Sequence, residues 1–321
     1  VTDPAYEGLG ADDDESFVIA TLASGAAPGP VHLGIGDDAA VLAPRDGLLV
    51  VTTDTMVEGT HWDARFDAET VGWRLVAANV SDLAAMGARP GWATLALTLP
   101  APLDRDWVRG FAGGVHAACR FWGLALVGGD TTRGPVRVAT LTAAGHAACP
   151  VRRDGGRPGD DVWVTGTLGR MAEAMLDPAP SAAARAHRDR PMPPVAFGAA
   201  LAESRLATAM MDLSDGLHAD LRRLCAASGT GARIDADALP GHGPLAWRTA
   251  YGEDHELLFT ADPRDADAIC AVASMHRVPV QRIGTLVATP TSEGGPLHLA
   301  RHAAAPSWPP ALFRHFGPES A

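Results

Sequence analysis

In both halves of this chain, apolar runs of strand length alternate with stretches whose apolar residues recur at helical period. That alternation leaves two mixed helix-and-sheet domains, α/β or α+β, as the expected architecture. Leu48–Thr53 reads as a buried strand ending at Asp54, and Ala68–Met86 as a helix. On that helix Val71, Leu75, Ala78, Asp82 and Ala85 share one face, so Asp82 sits on an apolar stripe. A strand over Gly91–Leu99, a helix over Asp104–Trp122, a strand over Leu124–Val127 that stops at Gly128-Gly129-Asp130, and a strand over Val136–Ala147 follow. The polar turn region Arg152–Asp160 then shifts the composition, and the expected domains are 1–148 and 149–321. The second half reads as strands Asp161–Thr165, Glu256–Thr260 and Val280–Val287 with helices Leu217–Ser228 and Pro263–Met275. A length of 321 residues suits two domains.

Composition removes whole classes of function. All 26 basic residues are arginine. A Walker A lysine, a Schiff-base lysine and a lysine general base are therefore excluded. The net charge of −12 argues against a nucleic-acid partner, which needs a cationic surface. No apolar run approaches the length of a membrane span, and no signal peptide is expected at Val1-Thr2-Asp3-Pro4. Cys119, Cys149, Cys225 and Cys270 form no CxxC pair, so structural zinc is not expected and a reduced, cytoplasmic protein is. Asn79-Val80-Ser81 matches a glycosylation sequon by chance.

The placement of carboxylates carries the chemistry. Asp37-Asp38 follow Gly34-Ile35-Gly36, Asp54 ends a strand, Asp82 lies on an apolar helix face, and Asp130 follows Gly128-Gly129. Asp212 and Asp215 bracket Ser214 just before Gly216 and a helix. Carboxylates among apolar and glycine neighbours need a counter-charge to stay ionised. With no lysine and few nearby arginines, a divalent metal is the natural choice, and all-oxygen ligands favour Mg²⁺, Mn²⁺ or Ca²⁺ over zinc. No EF-hand spacing occurs. Mg²⁺ commonly accompanies phosphates, and Gly128-Gly129 and Gly166-Thr167-Leu168-Gly169 are candidate phosphate cradles. The residues thus describe a Mg²⁺-dependent enzyme acting on phosphates without a P-loop.

Six segments in order carry a resemblance: Gly34–Val41, Thr52–Trp62, Asn79–Ala88, Gly128–Gly134, Met211–Leu217 and Gly252–Leu257. Together they resemble the thiamine-monophosphate kinases, of the aminoimidazole-ribonucleotide-synthetase-like ATP-binding superfamily. The resemblance runs from Glu15 to Phe316. It implies that residues 1–148 bind ATP and Mg²⁺ and dimerise, their sheet pairing across a homodimer. Residues 149–321 are implied to form a second α/β domain completing the active-site cleft. The implied reaction transfers the γ-phosphate of ATP to thiamine monophosphate, giving thiamine diphosphate. The implied metal shell is Asp37, Asp38, Thr52, Thr53, Asp54, Asp82, Asp130, Asp212 and Asp215, with Asp54, Asp82, Asp130 and Asp215 central to catalysis. Gly129, Asp130, Arg153 and Ser214 are implied nucleotide contacts, and His61, Glu253 and Phe313 thiamine-side contacts, with Trp308 the substitute for Phe313. The chain departs from the family pattern at Tyr251, where a glycine is usual, and at His255, where a tyrosine is.

The acceptor in that reaction is a phosphate whose second pKa is near ~6, so it needs no strong general base. Several Mg²⁺ ions and direct in-line transfer, without a phospho-enzyme, are the expected mechanism. The alternatives are aminoimidazole-ribonucleotide synthetase and a non-catalytic nucleotide-binding module. Selenophosphate synthetases need a reactive N-terminal cysteine with lysine, and the hydrogenase-maturation dehydratases a C-terminal cysteine; the chain has neither.

Overall fold

The computed structural model describes residues 14–25, 31–35, 39–43, 46–288, 297–300 and 307–309. The chain divides into two compact units, Val1–Leu83 with Ala88–Ala148, and Ala84–Gly87 with Cys149–Ala321.

The first unit contains α1 (Asp14–Ala23), β1 (Val31–Leu33), β2 (Val41–Leu42), β3 (Leu48–Val57), α2 (Ala68–Ala85), β4 (Arg89–Leu99), α3 (Arg105–Trp122), β5 (Ala125–Arg133) and β6 (Val138–Ala147). Its main sheet has the order β3-β6-β4-β5, antiparallel except for the β4–β5 pair. The parallel pair is joined through α3, as a crossover requires. Asp104 starts α3 by accepting the Trp107 N–H at 3.0 Å, and Gly123, at φ +68°, ends it in the left-handed conformation. Leu75, Val76, Val80 and Leu83 of α2 and Phe111, Val115 and Cys119 of α3 are buried, as are Leu95, Leu97 and Leu141 of the sheet. Asn79 is fully buried and its Nδ2 donates to the Leu75 carbonyl at 2.9 Å, so the sequon is inaccessible in the fold.

Two strand ends differ from the sequence expectation. β3 does not stop at Asp54 but continues to Val57, and it is an edge strand rather than a buried one. Its β-branched Thr52, Thr53, Thr55 and Val57 favour the extended chain, and Thr53–Thr142 and Thr55–Thr140 hydroxyl pairs of 2.8 Å tie it to β6. Leu48, Leu49 and Val51 are more than half exposed. β5 likewise runs through Gly128-Gly129-Asp130. Gly129 allows this because a Cβ there would meet the Leu95 carbonyl oxygen at 1.9 Å.

The second unit contains β7 (Asp161–Thr165), α4 (Arg170–Leu176), α5 (Ala182–Asp189), α6 (Val195–Glu203), β8 (Ala209–Asp212), α7 (Leu217–Ser228), β9 (Thr230–Asp235), α8 (Leu245–Ala250), β10 (Leu257–Ala261), α9 (Ala266–His276), β11 (Val280–Ala288) and β12 (Leu297–Ala300). The sheet order is β12-β9-β11-β7-β10-β8, with only β12–β9 parallel. Val162, Val164, Met211, Leu258, Ile283 and Leu286 of the sheet pack with Leu217, Leu221 and Leu224 of α7 in one core. Both units are therefore mixed α/β structures with mixed sheets.

Candidate active site

Strand alternation decides which carboxylates of the first unit meet. Thr52 and Asp54 share a side of β3 with the buried Met56, and Asp54 is in register with buried Leu141, itself paired with Leu95. Asp82 of α2 reaches this side, and the Thr52 hydroxyl donates to Asp82 Oδ2. Burial, and then the charge of Asp82, push the Asp54 carboxyl up to about 6. Among the described residues no basic side chain pairs with Asp54 to offset this.

Thr53 and Asp130 do not join that pair. Thr53 lies on the other side of β3, bonded to Thr142. Asp130 is exposed, in the row Thr55–Thr140–Ala96–Asp130, three strand spacings, or about 14 Å, from β3. Among the described residues, no three His, Cys, Asp or Glu side chains are grouped to hold a metal ion. Asp37 and Asp38 lie outside the described residues. His61 closes the turn after β3: its Nδ1 accepts the Val57 N–H at 3.0 Å, which places the neutral ring's proton on Nε2. Glu58 in the same turn binds Arg137 at 2.6 Å.

In the second unit the loop after β8 meets the loop before β10. Asp212 is buried at the end of β8. The Glu253 N–H donates to the Ser214 carbonyl at 2.9 Å, and the His255 N–H to the Leu213 carbonyl at 3.0 Å. Ser214, Asp215 and Glu253 are thus brought to one place. Glu253 and His255 both adopt left-handed backbone, φ +64° and +50°. Tyr251 is extended at φ −107°, so the residue replacing the usual glycine carries no backbone strain. Asp215 is held by two residues that sequence reasoning missed. Its N–H donates to Asp220 at 3.0 Å, and Arg223 pairs with both its carboxylate and Asp220. Asp220 is fully buried, which is the main cause of a carboxyl pKa of about 6. The only sequence signal for it was an aspartate in the first turn of α7.

The Gly166–Gly169 segment is not a phosphate cradle, because its N–H groups are already taken, those of Gly166 and Leu168 by the Pro279 and Pro240 carbonyls and the other two by the protein's own carboxylates. Gly169 donates to Asp254 Oδ2 at 2.7 Å and Thr167 to Glu256 Oε1 at 3.4 Å. Burial is the first cause in pushing Asp254 up to about 7 and Glu256 also up, while these N–H bonds oppose it. Gly128 and Gly129 are likewise strand residues, in register with Thr94 and Leu95 rather than in a turn.

Arg153 is exposed, and its backbone carbonyl accepts from Ser228 Oγ at the far end of α7 from Ser214. Twelve helical residues, about 18 Å, separate those ends. The structure does not bring Arg153 and Ser214 together. Phe313 lies outside the described residues. Trp308 stacks on His218 with centroids 4.7 Å apart at 12°, and packs against the core of the second unit. Burial pushes the His218 pKa down.

Two adjacent family models match the chain: AIR synthase related protein, N-terminal domain, over residues 36–147, and AIR synthase related protein, C-terminal domain, over residues 157–295. These define the class. A thiamine-monophosphate kinase of Salmonella typhimurium is 38% identical over 80% of this chain and 85% of that enzyme. The crystal structure of thiamine-monophosphate kinase from Stenotrophomonas maltophilia K279a is also 38% identical, with a TM-score of 0.78, covering 92% of this chain and 98% of that one. A structure of AaThiL complexed with AMPPCP and TMP is 29% identical with a TM-score of 0.73, covering 88% and 92%. The chain belongs to the thiamine-monophosphate kinase family within that class, and it is an enzyme, a kinase.

Proposed function

We propose that this kinase transfers the γ-phosphate of ATP directly to thiamine monophosphate, forming thiamine diphosphate. The observation that carries the reading is the 38% identity to a thiamine-monophosphate kinase over four-fifths of the chain. The related structure complexed with AMPPCP and TMP supports the substrate pair.

Mg²⁺ fits the residues present. Asp54 and Asp82 are two carboxylates that repel each other, with no basic partner on Asp54 among the described residues, and with Thr52 the donor set is all oxygen. Two carboxylates suit a cation that keeps its remaining positions for water and phosphate oxygens. When bound, Mg²⁺ would supply neutralisation between the two anionic substrates. Asp54 and Asp82 would hold one such ion in the first unit, and Asp212 and Asp215 another in the second. Asp130, apart from that pair, is proposed to hold a further Mg²⁺ ion, with Asp37, Asp38 and Thr53 as additional ligands among several ions. Gly129, Ser214 and Arg153 are each proposed as nucleotide contacts, Ser214 and Arg153 meeting different parts of it from opposite ends of α7.

The acceptor phosphate is mostly dianionic near neutrality, with a second pKa of about 6, so the protein need not remove a proton. The Nδ1 lone pair of His61 already accepts the Val57 N–H and is not free to take a phosphoryl group. Alignment of the two substrates therefore carries the reaction. Glu253 and His61, with Phe313 or Trp308, are proposed to hold the cationic, flat thiamine end. A reducing, cytoplasmic location is supported by four unpaired cysteines. A homodimer joined through the first unit is supported by the apolar edge strand β3.

The test is incubation with MgATP and either thiamine or thiamine monophosphate, products identified by mass, followed by transfer from ATP made chiral at its γ-phosphorus. Thiamine diphosphate from the monophosphate alone, with inversion at phosphorus, is expected. Phosphorylation of free thiamine would overturn the substrate assignment, and retention would overturn direct transfer.

A further inference from the structure

We propose that His187 and Asp254 are positioning residues that hold Glu253 in its left-handed backbone; the inference rests on reading Glu253 as a thiamine-side contact. Glu253 is not glycine, yet its φ is +64°, and two residues on His255 repeats the conformation at +50°. An L residue stays there only when its surroundings over-determine it. Both peptide groups flanking Glu253 are bonded. Its N–H donates to the Ser214 carbonyl at 2.9 Å, and His187 Nε2 lies 3.2 Å from its carbonyl oxygen. A carbonyl only accepts, so His187 donates from Nε2.

The next residue is anchored from another side. Asp254 is buried, its Oδ2 accepting Gly169 N–H at 2.7 Å and its Oδ1 accepting Met171 N–H at 3.4 Å. Its Oδ1 is 4.0 Å from His187 Nε2. His187 is itself buried in the last turn of α5, a helix started by Ser181, whose hydroxyl accepts the Ala184 N–H at 3.1 Å. Gly252 completes the fit, since a Cβ there would meet the Ser214 carbonyl oxygen at 2.1 Å. The loop is thus held by the turn after β8, by α5 and by the backbone entering α4. The Glu253 carboxylate is presented by a backbone that its own sequence would not choose.

Steady-state kinetics on the full chain test this. His187→Ala should raise the KM for thiamine monophosphate about 10-fold, the effect of losing a contact of ordinary hydrogen-bond strength, and leave the KM for ATP within about twofold. His187→Gln, whose amide N–H reaches the same carbonyl, should restore the wild-type KM, and the shorter His187→Asn should not. Adding His187→Ala to Glu253→Gln should raise the KM no further, because both act through one contact. If Glu253→Gln alone leaves the KM unchanged, the reading of Glu253 is wrong. If Glu253→Gln raises it and the His187 variants do not, or if the two effects multiply, His187 does not position Glu253. Should His187→Ala fail to fold, the contrast between His187→Gln and His187→Asn decides.

Discussion

Asp54 costs the folded protein stability for as long as it is ionised. Burial and the charge of Asp82 raise its pKa from 3.8 to about 6. A raised pKa means that the charged form is disfavoured by folding, so the cost is present in full at pH 8, declines as pH falls below about 6 and is gone only below the ordinary value of 3.8. Two pKa units correspond to about 3 kcal/mol. In chelator at pH 8, Asp54→Asn should raise the melting temperature by several degrees while removing most turnover in MgATP. Thermal denaturation and a product assay on the same preparation check this; an unchanged or lowered melting temperature would show that Asp54 is not under strain. Asp82 was legible in the sequence as a charge on an apolar helix stripe, and Asp54 as the carboxylate closing an apolar strand run. Asp220, Asp254 and His187 were not. The bonds of Asp254 to Gly169 and Met171 span 85 and 83 residues, and no local pattern reports a partner that far away.

Elements with strong periodicity came out close to their sequence bounds: β7 and α7 match Asp161–Thr165 and Leu217–Ser228, and α2 ends one residue short of Met86. β5 did not, because Gly128-Gly129 reads as a stop locally, whereas parallel pairing with β4 carries the strand through it. The same holds for β3, where one side is covered and the other bare. Its outward Val51 is 53% exposed and Leu49 54% exposed, so neither contributes to the interior of its own unit. Val51→Glu should therefore cost the folded unit little, while disrupting any assembly through this edge. Sedimentation should show a lighter species with an unchanged far-ultraviolet spectrum. An unaltered sedimentation coefficient would remove β3 from the proposed dimer contact.

At the scale of the molecule three buried carboxylates act in one direction. Burial raises Asp254 to about 7 and Asp220 to about 6, and raises Glu256. Stability contributed by their neutral forms is complete below the ordinary carboxylate pKa and is lost as pH rises through about 6 to 7. His116 and His218, pushed down mainly by burial, oppose this only toward acid. In chelator the melting temperature should thus rise between pH 8.5 and 6.5, and Asp254→Asn should flatten that rise. A melting temperature that falls over this interval in the wild-type chain would contradict the direction assigned to Asp254.

The partner of β3 arrives late. The residues that pair β3 with β6 are 81 to 99 positions apart, from Val57–Val138 to Leu48–Ala147. At a synthesis rate of about 5–20 residues per second, β3 leaves the ribosome roughly 5–20 s before the strand that completes its only ladder among the described residues. During that interval Leu48, Leu49 and Val51 are accompanied by unpaired backbone groups on both edges. The growing chain is then a template for any other extended chain, and its yield should depend on translation speed and on holdase chaperones more than its finished stability suggests.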